Sequence, residues 1–154
     1  MEKSIDPGTD NAVNINNLAE YIRTTCDYRE HDPGTLSPLT LAYIGDTVFD
    51  LVIRTRVVTR GQAPVNRLHK ASSRIVNATT QSAMIHELLP KLTEEELSIY
   101  KRGRNAKSHS TAKNASVNDY KAATGFEALL GWLYLKGDFG RITELVLPVI
   151  PEYE

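Results

Sequence analysis

Two apolar stretches, 36–58 and 117–136, constrain this chain more than any other feature, because each far exceeds the length of an ordinary β-strand. Strands in globular domains commonly run about 5–6 residues. The first stretch, LSPLTLAYIGDTVFDLVIRTRVV, opens on Ser37 and Pro38, a cap followed by a first-turn proline. It then meets no breaker until Gly61, apart from Gly45. The β-branched residues Val52, Ile53, Val57 and Val58 suit a strand, but the length and the Ser-Pro start favour a helix. The second stretch is strongly apolar and stops at Gly137, a suitable C-terminal cap.

The remaining segments also read as helices. Ile15, Leu18, Ala19 and Ile22 fall at helical spacing between Ile15 and Tyr28, and HDPG (31–34) is a turn. Residues 64–89 read as helix in one or two pieces, with Val65, Leu68, Ser72, Ile75 and Val76 on one face. Thr93 and Glu96 form a T-x-x-E capping box, and Ser116 with Asp119 forms a similar start. A last helix spans about 140–147 and ends at Pro148. No segment alternates cleanly between hairpin turns. The expected fold class is all-α, with six or seven helices in a single domain over 15–154 and a flexible tail over 1–14.

The tail is polar and lacks the apolar core of a signal peptide, and no run approaches the ~20 apolar residues of a membrane span. A cytoplasmic protein is expected. The single cysteine, Cys26, excludes an internal disulfide and a cysteine zinc cluster. The net charge of −1 is silent about partners, but its distribution is not. Residues 54–113 hold 12 Lys/Arg against 4 Asp/Glu, whereas residues 1–53 hold 3 against 9. The middle third therefore builds an electropositive surface suited to a phosphate-rich partner.

Two carboxylates stand out against their surroundings. Asp46 lies in AYIGDTVFDLVI, and Glu127 is the only charged residue in AATGFEALLGWLYL. An ionised carboxylate in an apolar setting costs several kcal/mol unless it is paired or binds a metal. Gly45 and Thr47 flank Asp46, while Ala123, Thr124, Ala128 and Gly131 surround Glu127, and such small residues let something approach the helix backbone. The residues alone leave two readings open. Each carboxylate caps a helix or pairs with an arginine, or the two share a hard-metal site. Asp50, one turn past Asp46, reads as solvated or arginine-paired.

AYIGDTVFDL resembles the signature helix of the ribonuclease III family, and ATGFEALLGWLYL resembles that family's second catalytic helix. The basic RGRNAKS loop and the following KNA (113–115) are similar to the Mini-ribonuclease III branch, which has the catalytic domain without a double-stranded-RNA-binding domain. The resemblance runs from about Leu36 to Leu147 and implies the helical ribonuclease III endonuclease fold. It further implies a homodimeric, Mg²⁺-dependent endoribonuclease that cuts double-stranded RNA and matures the ends of 23S ribosomal RNA precursor. Asp46 and Glu127 would be the catalytic and metal-holding residues. Two further family carboxylates, four residues before Asp46 and three before Glu127, are replaced by Ala42 and Thr124, so a sparse site is expected.

Candidate RNA contacts are Lys101, Arg102, Arg104, Asn105, Lys107 and Lys113, with Arg67, Lys70 and Arg74 forming one stripe on an earlier helix. His109 lies in the same basic loop, and Trp132 and Tyr134 read as core or dimer interface. Two rivals share some of these features. A non-catalytic double-stranded-RNA-binding protein of the same fold, acting in ribosome assembly, would keep the basic surface. An unrelated all-α metal hydrolase would show histidine and aspartate ligands at helical spacing, which the sequence lacks.

Overall fold

The computed structural model describes residues 18–26, 32–107 and 115–152. The N-terminal tail, His31, His109 and Lys113 lie outside them. The described residues form seven α-helices and no strand. These are α1 (Leu18–Thr25), α2 (Pro38–Thr59), α3 (Val65–Ser73), α4 (Ala78–Leu88), α5 (Glu94–Arg104), α6 (Val117–Leu135) and α7 (Phe139–Val146). No helix among them is long and apolar enough to cross a membrane.

The helix ends follow the local chemistry. The Ser37 hydroxyl accepts the Thr40 N–H, and Pro38 occupies the first turn of α2. Thr93 and Glu96 complete a reciprocal capping box on α5. Ser116 caps α6, and Gly137 takes a positive φ of 83° just beyond it. The 64–89 segment divides because Asn77 turns extended and its side chain accepts the Thr80 N–H, starting α4 anew. Arg74 therefore lies at the end of α3 and not within it.

α6 is the centre of the molecule. Residues 128–133 are all buried, so this helix is covered on every side, as an all-round apolar helix requires. α2, α4 and α5 supply most of that cover. α2 approaches closest. A Cβ on Gly45 would fall on the Glu127 carbonyl, and one on Gly131 would fall on the Leu41 carbonyl. Phe49 and Phe126 meet edge-on beside this crossing, with centroids 5.6 Å apart. α5 approaches through a second pair of glycines: a Cβ on Gly103 would lie 2.7 Å from Ala128 Cβ, and one on Gly125 would lie 2.7 Å from the Tyr100 carbonyl.

α7 is fastened by charge. The Glu96 carboxylate accepts Arg141 Nε at 2.8 Å and Nη2 at 2.9 Å, and Nη2 also donates to the Lys91 carbonyl. The Glu96 side chain is only 5% exposed. The Arg141 hydrogen bond holds the Glu96 pKa below the usual glutamate value, outweighing burial.

Two outcomes follow for stability. In an open helix, Gly→Ala gains about 1 kcal/mol. At Gly131 the added methyl meets fixed backbone, and overpacking costs about 1–3 kcal/mol or more. Gly131→Ala is therefore expected to lower the urea midpoint, not raise it. Arg141→Met strands a buried carboxylate and should cost about 3 kcal/mol at neutral pH. Because Glu96 is depressed in the folded state, its stabilisation is complete above pH 4.5 and fades as pH falls through the folded value. The gap between parent and Arg141→Met should therefore narrow in acid, which urea titrations across that range would read.

Candidate active site

The glycine crossing brings the two anomalous carboxylates together. Asp46 follows Gly45 directly on α2, and Gly45 rests on the backbone of Glu127 itself on α6. The environments of the two differ. Asp46 is exposed, contrary to the burial its apolar sequence neighbours suggest, because it sits on the outer side of α2. Glu127 is partly buried. Burial first, then the charge and hydrogen-bonding influence of the nearby Asp46, raise the Glu127 pKa to about 8, so Glu127 keeps its proton at neutral pH.

Among the described residues, neither carboxylate of the pair caps a helix or meets an arginine. Asp50 does meet one. Both its oxygens lie 3.0 Å from Arg54 Nε, so it is arginine-paired. A hollow of about 300 Å³ joins Asp46, Thr47 and Asp50 to Arg54 and to His69, Ser72 and Ser73 of α3. Among the described residues no group of three or more His, Cys, Asp or Glu side chains is placed to hold a metal. The two positions where family members carry further acids are spent otherwise. Ala42 is buried, and the Thr124 hydroxyl donates back to the Tyr120 carbonyl at 3.0 Å.

The basic residues fall in two places. Lys101, Arg102, Arg104, Asn105 and Lys107 gather at the C-terminal end of α5, which Gly103 seats against α6 at Thr124, Gly125 and Ala128, within a turn of Glu127. Lys101, Arg102, Asn105 and Lys107 are exposed. Arg104 stacks over Tyr100 at 5.7 Å. Arg102 donates to the Gly34 and Leu36 carbonyls at 3.2 and 3.3 Å, so it also ties α5 to the chain entering α2. Arg67 and Lys70 are exposed on α3, which packs on α2, with Arg74 exposed at its end.

Trp132 is buried and Tyr134 packs against the core. Cys26 is exposed. His86 turns its Nδ1–H onto the Ser82 carbonyl of its own helix at 2.7 Å. The sequence reading overlooked Gln81, a buried amide facing Glu127. The available signal was its position on the apolar stripe of Met84, Ile85 and Leu88.

The raised Glu127 pKa has a measurable sign. Folded, Glu127 keeps its proton to about pH 8; unfolded, it loses it near 4.5. The folded state binds more protons across that window, so stability falls as pH rises through it. In the presence of a chelator, Glu127→Gln should flatten this slope and leave the chain more stable than the parent at about pH 8. An unchanged slope would show that the proton resides elsewhere.

The model of the Ribonuclease III domain matches residues 39–138 of this chain. Mini-ribonuclease 3 of Symbiobacterium thermophilum is 49% identical over 115 residues, covering 75% of this chain and 88% of that protein. Mini-ribonuclease 3 of a Thermoanaerobacter species is 50% identical over 121 residues, covering 77% and 85%. A crystal structure of a Fusobacterium nucleatum protein superposes with a TM-score of 0.70 at 32% identity, covering 78% of this chain and 96% of that one.

Proposed function

This chain belongs to the ribonuclease III family, in its Mini-ribonuclease III branch, and from that premise we propose that it is a Mg²⁺-dependent endoribonuclease hydrolysing double-stranded RNA at Asp46 and Glu127. The convergence of these two carboxylates at the α2–α6 glycine crossing carries the reading. The donor set suits a hard dication. Both candidate ligands are carboxylates on rigid helices, and the raised Glu127 pKa marks a site that favours added positive charge.

Two protein ligands suffice for Mg²⁺, which keeps several waters and accepts a substrate phosphate oxygen. When bound, the ion supplies a water of lowered pKa and offsets charge growing on the phosphate. Glu127 and Asp46 would hold the ion, and Asp46 is the more exposed of the two. Gly45 and Gly131 fix the spacing of the two helices that carry the acids. No side chain is required as a covalent nucleophile, and the products carry 5′-phosphates.

RNA contacts come from Lys101, Arg102, Arg104, Asn105 and Lys107 beside Glu127, and from Lys113 in the loop that follows. Arg67 and Lys70 are carried by α3, whose His69, Ser72 and Ser73 line the hollow that opens at Asp46, while Arg74 at the end of α3 lines a separate hollow with Arg56 and Arg60. Phosphate and 2′-hydroxyl contacts dominate, since the A-form major groove is too narrow to read. A homodimer accounts for the exposed apolar stripe on α2, where Leu39 is 40%, Tyr43 81% and Leu51 52% exposed. These residues recur every four or eight positions, beside Asp46, so a second copy there would set two sites along one duplex. Residues 15–154 form one catalytic domain, the enzyme works in the cytoplasm, and its substrate is the duplex at the ends of the 23S ribosomal RNA precursor.

Asp46→Asn should leave the thermal midpoint near that of the parent. It should reduce cleavage of a long RNA duplex in Mg²⁺ by about a thousandfold or more, equivalent to several kcal/mol of lost transition-state stabilisation. A gel of that duplex with and without Mg²⁺ reads both arms, and full activity in the variant would overturn the assignment.

A further inference from the structure

One interior side chain lacks the partner that its burial demands. Gln81 lies on α4 with Met84, Ile85 and Leu88, and it is only 4% exposed. Among the described residues, Gln81 Nε2 is the one buried side-chain nitrogen or oxygen with no hydrogen-bond partner. Leaving such a donor unsatisfied forfeits the hydrogen bond it would make in water. A leucine or methionine would fill the same space at no such cost, so packing alone does not account for an amide here.

The packing of α4 on α6 shows what the amide faces. It brings Gln81 up to the Glu127 carboxyl, near enough to favour the ionised form although outside hydrogen-bond geometry. The carboxyl is meanwhile engaged with Asp46. A carboxylate released from that contact has more acceptor sites than a cation uses, and those turned away from the ion need a donor. A lysine or arginine would provide one but would also repel a dication. A neutral amide donates without that penalty.

We propose that Gln81 is a positioning residue of the cation site: its Nε2 donates to the Glu127 oxygen turned away from a bound divalent cation and fixes the orientation that presents the other oxygen. The inference rests on the assignment of Asp46 and Glu127 as cation ligands. It makes α4 a working part of the site, and it explains the unpaired amide as a donor held in reserve for the loaded state.

The test uses the full chain without RNA and titrates Mn²⁺, following free ion by electron paramagnetic resonance. Gln81→Leu and Gln81→Met should each weaken Mn²⁺ binding by about tenfold or more, the usual consequence of losing a donor behind a ligand. Their thermal midpoints in chelator should equal or exceed the parent's. In the parent, the Gln81 side-chain NH₂ resonance should move on saturation with Mg²⁺, and in Glu127→Gln it should stay in place. Mn²⁺ affinity within twofold of the parent in both variants, or an unmoved resonance in the parent, would overturn the role of Gln81. The resonance experiment decides the matter even if both variants fold poorly. Asp46→Asn and Glu127→Gln serve as the controls. If they lose Mn²⁺ while the Gln81 variants keep it, only this inference fails. If they bind like the parent, the cation site itself is wrong.

Discussion

The rest of the structure depends on the backbone contact between α2 and α6. Gly45 lies on the Glu127 carbonyl and Gly131 on the Leu41 carbonyl, so each helix uses a bare position to admit the other. Each glycine in a helix interior sacrifices about 1 kcal/mol relative to alanine. Close packing offsets that loss. It lets Phe49 and Phe126 meet edge-on and closes the buried run over 128–133. A crossing made of backbone also has no rotamers, so its register is fixed in a way that side-chain packing seldom achieves.

The chemistry inherits this geometry. Asp46 is adjacent to one contacting glycine, and the peptide carbonyl of Glu127 is the atom contacted by it. The carboxyls are therefore held close whether or not closeness suits their charges, a discomfort that adds to burial in raising the Glu127 pKa. The surrounding elements ease it only partly. α5 brings its cationic end to the neighbouring turn of α6 through Gly103, and α4 contributes an uncharged amide. Among the described residues, no cation pairs directly with either acid.

Much of this is legible in the residues because the governing interactions are local. Ser37-Pro38, Thr93 with Glu96, Ser116 and Gly137 mark helix ends through bonds spanning four residues or fewer, and all appear where the sequence places them. The small residues around Asp46 and Glu127 announce a close approach, and the structure supplies its identity, each helix being what approaches the other. Non-local features are harder. An apolar neighbourhood in sequence does not tell which side of a helix faces out, so Asp46 reads as buried yet is exposed. Arg102 reads as a free cation, but its carbonyl partners stand more than sixty positions away. Gln81 sits in ATTQSAM, a polar-looking start to α4, and its place on the stripe of Met84, Ile85 and Leu88 is the one local sign that it is interior.

The glycine crossing also determines how variation in this chain must be interpreted. At most enzyme positions a substitution harms either folding or chemistry, and the two can drift separately. At positions 45 and 131 they cannot, because the atoms that set helix spacing are the atoms that aim the acids. A larger residue there would push the carboxylates apart by the same displacement that loosens the core. Positions 45 and 131 therefore admit only the smallest side chain available. The acid pair is thus protected by a size limit that acts on its neighbours, not on the acids themselves.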